Sequence, residues 1–282
     1  MSPVLPPLGE VIRRYELATK KSLGQHFLLQ PSLTDKIARA AGDLTQTYVI
    51  EIGPGPGGLT RSLLAAGAHH VMAVEKDARC MAALTDLAAA YPGQLTVSEQ
   101  DALTVNLPQL TPAPRAIVAN LPYNVATELV LIWLKEMDAD RAAYTSLTLM
   151  FQKEVAQRLS AEPGSKAYGR LSVMTQWRCR VMPLFDVRPE AFTPPPKVMS
   201  QVVQLLPRAV RDVECVPEDL EQLLKAGFGQ RRKMLRQSLK SFGTAAEKAM
   251  LACGLDGTQR AETLSPAEWV RLAAQYRVFL AA

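Results

Sequence analysis

A β-branched run, TYVIEI at 47–52, breaks off into Gly53-Pro54-Gly55-Pro56-Gly57-Gly58, and residues 59–66 (LTRSLLAA) then carry apolar side chains at three- and four-residue spacing. A strand, a glycine turn and a helix in direct succession leave the chain little freedom. They open a doubly wound α/β sheet, in which the helix must fold back over the strand. The turn matches GxGxxG with Gly53, Gly55 and Gly58. Glu75 stands 22 residues after Gly53, at the end of the next apolar run, where an acid can meet ribose hydroxyls.

The same alternation continues. Short, nearly continuous apolar runs at 70–75, 95–99, 115–119 and 144–151 suit strands buried on both faces of a parallel sheet. Segments 77–90 and 125–136 carry helical spacing between them. Residues 168–178 are compatible with helix or strand, with helix preferred, and 181–187 and 200–206 read as the last strands, flanking the turn-rich FTPPPK at 192–197. Beyond Pro207 no strand run remains, and 217–241 and 244–280 read as helices broken at Gly227, Gly229, Gly243, Gly254 and Gly257. The fold class expected is therefore α/β, a Rossmann-like sheet over residues 1–207, followed by a small all-α domain at 208–282. An apolar content of 48% and a charged content of 21% over 282 residues exclude a disordered tail, a collagen-like rod and a disulfide-stapled miniprotein.

Two ligand classes suit a glycine turn of this kind. A dinucleotide needs backbone N–H groups for its pyrophosphate. Here Pro54 and Pro56 remove two such donors, and Glu51 and Glu75 set carboxylates beside the turn. An acidic, proline-containing turn suits a cationic sulfonium, that of S-adenosylmethionine. Asp101, followed by Ala102 after the third strand, can accept from an adenine amino group or cap its own turn; taken alone, the residue does not choose.

Asn120-Leu121-Pro122-Tyr123 ends the fourth strand, on the side where α/β sheets bind ligands. Those residue types suit methylation of a planar amine, whose lone pair is delocalised into its ring. The Asn120 side-chain oxygen and the Leu121 carbonyl can accept the two amine protons and favour a tetrahedral nitrogen. Pro122 stiffens the turn and preorganises both acceptors. Tyr123 can stack on a base. Phe192 is the expected second stacking face, steadied by the prolines after it, the other reading being a core Phe beside a proline turn. In-line transfer needs alignment more than a strong base, which fits the lack of His or Cys beside the motif.

On these residues the chain resembles the small-subunit ribosomal RNA adenine dimethyltransferases, the KsgA/RsmA family. Further matching segments are Lys21-Ser22-Leu23-Gly24-Gln25-His26-Phe27-Leu28, Gln152-Lys153-Glu154-Val155, Tyr168-Gly169-Arg170-Leu171-Ser172, Phe192-Thr193-Pro194-Pro195-Pro196-Lys197-Val198 and Phe228-Gly229-Gln230-Arg231-Arg232-Lys233. The resemblance implies a class I methyltransferase with a helical C-terminal domain. It also implies dimethylation at N6 of two adjacent adenosines in the 3′-terminal hairpin loop of 16S rRNA, within immature 30S subunits. By matching position it implies that residues 1–45 cover the cofactor, which His26, Leu28, Gly53, Gly55, Glu75, Asp101, Ala102 and Asn120 would contact. The family often has Asn where this chain has His26. Two other readings remain. One is an adenine methyltransferase of 23S rRNA, against which Leu121 counts because those enzymes usually carry Ile there. The other is an RNA-binding assembly factor with weak catalysis, against which the intact motifs count.

The formal net charge of +5 is unevenly spread. Residues 225–240 hold six basic and no acidic side chains: Lys225, Arg231, Arg232, Lys233, Arg236 and Lys240. They form either a solvated helix face or a phosphate-binding surface for RNA. Four scattered cysteines and three histidines give no metal spacing, so no metal is expected. The first residues do not read as a signal peptide, and the apolar run near residues 130–134 is too short to span a bilayer. A cytoplasmic protein, monomeric off the ribosome, is expected.

Overall fold

A computed structural model describes residues 3–17, 19, 25–210 and 213–281. Lys21, Ser22, Leu23 and Gly24 of the resemblance lie outside the described residues. The chain runs through α1 (Leu8–Arg14), β1 (Phe27–Leu28), α2 (Pro31–Ala40), β2 (Tyr48–Ile52), α3 (Gly58–Ala65), β3 (His70–Glu75), α4 (Ala78–Ala90), β4 (Leu95–Glu99), β5 (Arg115–Asn120) and α5 (Ala126–Ala139). It continues with β6 (Ser146–Gln152), α6 (Lys153–Leu159), α7 (Arg170–Arg178), β7 (Cys179–Val187), β8 (Phe192–Thr193) and β9 (Ser200–Pro207). The last elements are α8 (Pro217–Gly229), α9 (Leu235–Ser238), α10 (Gly243–Ala252) and α11 (Pro266–Leu280).

Seven strands form one sheet in the order β4-β3-β2-β5-β6-β9-β7, with β2 through β6 parallel and β9 antiparallel to β6. The central runs are buried along their length, as near-continuous apolar sequence demands of strands covered on both faces. From β2 the chain first winds outward through β3 and β4, then returns to place β5 on the other side of β2. The carboxyl ends of β2 and β5 therefore flank the switch point, where such sheets open a crevice. A separate two-stranded ladder pairs β1 with β8, Phe27 opposite Thr193 and Leu28 opposite Phe192. Two-residue strands carry no periodicity, and the sequence gives no sign of this pairing.

The chain divides into two units, Met1–Ala156 with Met182–Pro207, and Gln157–Val181 with Arg208–Ala282. A single cut at residue 207 thus misses an excursion, because residues 157–181 belong with the C-terminal helices. In that second unit α7 packs on α8 and α11. The Tyr168 hydroxyl donates to the Leu264 carbonyl at 2.8 Å, and the Gly164 N–H to the Glu262 carbonyl at 2.7 Å.

The helix expected over 217–241 also differs. Helix α8 passes through Gly227 without a break and ends at Gly229. Gly227 serves packing: a Cβ there would lie 2.6 Å from the ring of the fully buried Trp269. Helix α11 is started by a reciprocal capping box, the Glu268 N–H donating to Ser265 Oγ and the Ser265 N–H to Glu268 Oε2. Among the described residues no helix is long and apolar enough to cross a membrane.

Candidate active site

The crevice at the switch point is lined by the glycine turn after β2, by the ends of β3 and β5, and by residues 25–28. Gly53, Gly55 and Gly57 have φ of +66°, +55° and +88°, so the turn is closed to ordinary side chains. Gly58 starts α3 under the N-terminal segment, where a Cβ would stand 2.8 Å from the Leu28 carbonyl oxygen. The turn after β2 and residues 25–28 thus pack into one wall.

That wall is acidic. Glu75 is buried, its Oε2 accepting from the Gly55 N–H at 3.0 Å and its Oε1 from the Asp77 N–H at 2.8 Å. Burial raises its pKa, and those two donors offset part of the rise. Glu51 is 1% exposed and its Oε2 has no hydrogen-bond partner. Burial, with the Glu75 charge nearby, pushes its carboxyl up to about 8. A cation seated in the crevice beside the unfilled acceptor would offset that burial and draw the acid into its charged form. Asp101 does not stand open: Lys76 Nζ donates to its Oδ2 at 2.6 Å, and the Leu103 N–H to its Oδ1 at 3.0 Å. The Lys76 ammonium, followed by the Leu103 N–H, holds its carboxyl below the usual range. It caps its own turn and still lines the crevice beside Ala102.

Asn120 ends β5 with its amide oriented. Its Nδ2 donates to the His26 carbonyl at 3.0 Å. A carbonyl can only accept, so the amide nitrogen must face it and Oδ1 is left as the acceptor. Leu121 is buried, and Leu121, Pro122 and Tyr123 all line the crevice. The Tyr123 hydroxyl lies 2.6 Å from Ser200 Oγ, and burial raises its pKa.

Residues 25–28 are fastened at several points. Gln25 Nε2 donates to Asp77 Oδ2 at 2.8 Å, and Asp77 is held at about 2 by the Arg79 side chain, with Gln25 adding to the effect. His26 Nδ1 donates to the Pro194 carbonyl at 2.7 Å. The His26 ring stacks on Tyr123 at 5.5 Å and meets Phe192 edge-on at 6.3 Å.

Phe192 is not the open stacking face expected of it. It is 3% exposed and belongs to the core with Leu28, Val187 and Val202, and it does not line the crevice. Its pairing with Leu28 in the β1–β8 ladder pulls it inward, and His26 takes the place beside Tyr123 instead. Sequence reasoning also missed Ser200 and Lys76, for which no motif gave a signal.

In the second unit the basic stretch is of two kinds. Lys225, Arg232, Lys233, Arg236 and Lys240 are exposed. Arg231 is committed internally, its guanidinium pairing with Glu262 and donating to the Ser165 carbonyl at 3.1 Å. Gly229, Arg231, Arg232 and Lys233 line a small cleft there with Phe228.

Comparison with known proteins gives the arrangement a lineage. Residues 16–277 match the profile of the family described as ribosomal RNA adenine dimethylase. The chain is 56% identical over 277 residues to ribosomal RNA small subunit methyltransferase A of Mesorhizobium japonicum, covering 95% of this chain and 97% of that protein. Its fold is similar to a crystal structure of a dimethyladenosine transferase from Plasmodium falciparum, at 25% identity and a TM-score of 0.74, over 90% of this chain and 98% of that one. It is also similar to the 23S rRNA methyltransferase ErmE, at 27% identity and a TM-score of 0.67, over 89% and 99%. A profile match over nearly the whole length, joined to more than half identity with a full-length relative, makes the chain a member of the ribosomal RNA adenine dimethylase family.

Proposed function

We propose that the protein transfers methyl groups from S-adenosylmethionine to N6 of two adjacent adenosines in the 3′-terminal hairpin loop of 16S rRNA. It would act on immature 30S subunits, in the cytoplasm, as a monomer off the ribosome. The observation that carries this reading is the orientation of Asn120, whose nitrogen is spent on the His26 carbonyl and whose oxygen is free for an amine proton. The curated relatives at 55–57% identity are named for the small subunit, which favours 16S over 23S rRNA as the target.

The crevice suits the cofactor on its own chemistry. Two prolines remove two of the donors a diphosphate could use, while the unfilled Glu51 Oε2 leaves an acceptor for a cation. When bound, the cofactor supplies an electrophilic methyl group on a sulfonium. Glu51 would take the ammonium of its amino-acid part. Glu75 keeps a lone pair on each oxygen for ribose hydroxyls, and Gly53, Gly55, Ala102, Leu28 and the backbone of His26 would close around it. Asp101 would receive the adenine amino group once Lys76 gives up Oδ2. Asn120 Oδ1 and the Leu121 carbonyl would each accept one N6 proton, turning the nitrogen lone pair out of conjugation. Tyr123 would stack on the base. The N6 lone pair would form the new N–C bond while the methyl carbon–sulfur bond breaks, its electron pair returning to sulfur to leave neutral S-adenosylhomocysteine, and the surplus N6 proton would pass to water. The test is methylation of immature 30S subunits from labelled S-adenosylmethionine.

RNA would dock on Lys225, Arg232, Lys233, Arg236 and Lys240, with Arg231 bracing the loop through Glu262 and Ser165. This division is checked by the salt dependence of 30S binding. Each phosphate contact contributes about 0.7–0.9 to the slope of log affinity against log salt concentration. Replacing Arg232 and Lys233 by Ala is expected to lower the slope by about 1.5, whereas Arg231→Ala weakens binding and leaves the slope within about 0.3. A slope unchanged by the first pair would return them to a solvated face.

A further inference from the structure

Tyr123 is held by more than its own turn. Pro122 restricts the backbone, but two side-chain torsions still separate that backbone from the ring, and a ring free to turn presents its face only part of the time. The structure limits each torsion from outside the motif by a different group: the contact at the hydroxyl fixes where the far end of the ring sits, and the stacked His26 ring fixes its plane. The Tyr123 hydroxyl lies 2.6 Å from Ser200 Oγ. Ser200 has no exposed surface and is the first residue of β9, fixed in register opposite Gln152 of β6. Strand β6 lies between β5 and β9, and this sheet order brings the turn after β5 within reach of a serine far along the chain. The His26 ring lies over the phenol at 5.5 Å with 30° between planes, so one face is covered. Burial raises the phenol's pKa from its ordinary value, against a smaller lowering by the Ser200 hydroxyl.

We propose that Ser200 is a positioning residue whose buried hydroxyl pins the Tyr123 ring, so that the face His26 leaves uncovered is the one presented to the target adenine. This rests on the methyltransferase reading. A serine that served only the strand end would affect stability and every substrate alike. A serine that pins the ring acts through Tyr123 alone.

Two measurements separate these cases. The first is single-turnover methylation of immature 30S subunits by the wild type, Ser200→Ala, Tyr123→Phe and the double variant, with cofactor affinity measured beside it. Each single change is expected to lower the rate at subsaturating RNA by about five- to tenfold, with cofactor affinity within about twofold. The double variant should fall no further than either single, because both remove the same bond. Losses that multiply, or an undiminished rate in Ser200→Ala, would overturn the proposal. The second needs no RNA. In ring-labelled protein the Tyr123 signals, identified by their loss in Tyr123→Phe, should show through-space contacts to the His26 ring in the wild type and lose most of them in Ser200→Ala. Contacts absent in the wild type, or undiminished in the variant, would overturn the pinning. A wild type that methylates no rRNA but shows the expected ring signals would count against the function and not against Ser200.

Discussion

Asn120→Ala is expected to lower methyl transfer by about two orders of magnitude or more, while cofactor affinity changes only a few-fold. The lost group is an acceptor aimed at where charge develops on N6, an interaction made fully only as the nitrogen turns tetrahedral. The cofactor keeps the glycine turn, Glu51, Glu75 and Asp101. The same side chain also donates to the His26 carbonyl at 3.0 Å, so its removal loosens residues 25–28, and this accounts for the small affinity change allowed. Asn120→Asp should be no better, because a carboxylate has no proton to offer that carbonyl. Rate measurements under cofactor saturation, beside calorimetric titration of the cofactor, check both halves. Undiminished turnover in Asn120→Ala would remove it from the reaction.

Glu75→Gln is expected to weaken cofactor binding by about thirtyfold, although it keeps size and shape. Both carboxylate oxygens accept backbone N–H groups, from Gly55 at 3.0 Å and from Asp77 at 2.8 Å. An amide can satisfy only one of them. Its NH2 would face the other donor in a buried site, and the ribose would lose a charged acceptor as well. Because the Gly55 bond also shapes the turn, the loss should appear in affinity and in the thermal stability of the free protein together. Unchanged affinity would mean that the ribose lies elsewhere.

Much of this site was legible in the amino-acid order because its parts obey local rules. The short apolar runs suit buried parallel strands, and the structure places the glycine turn after β2 beside the motif after β5. Asn120, read as an amine acceptor, ends β5 with its Nδ2 on the His26 carbonyl and its Oδ1 left as an acceptor. What escaped depends on distant partners. Phe192 reads as an open ring beside prolines, yet a two-residue ladder with β1 draws it into the core. Gly227 reads as a helix break, yet the large ring of Trp269 needs its missing Cβ. Residues 157–181 read as part of the sheet domain, yet Tyr168 and Gly164 find their partners at Leu264 and Glu262. Arg231 reads as one of six equal cations, yet Glu262 claims it. None of these contacts leaves a period or a spacing behind.

Every role assigned to the crevice depends on methylation of adenines in the small ribosomal subunit. Its most direct test is incubation of the protein with labelled S-adenosylmethionine and immature 30S subunits whose 16S rRNA lacks the modification, followed by digestion of the RNA to nucleosides. Label is expected in N6,N6-dimethyladenosine, confined to the two adjacent adenosines of the 3′-terminal hairpin loop. Label found only in 23S rRNA, or none in RNA of either subunit, would contradict it.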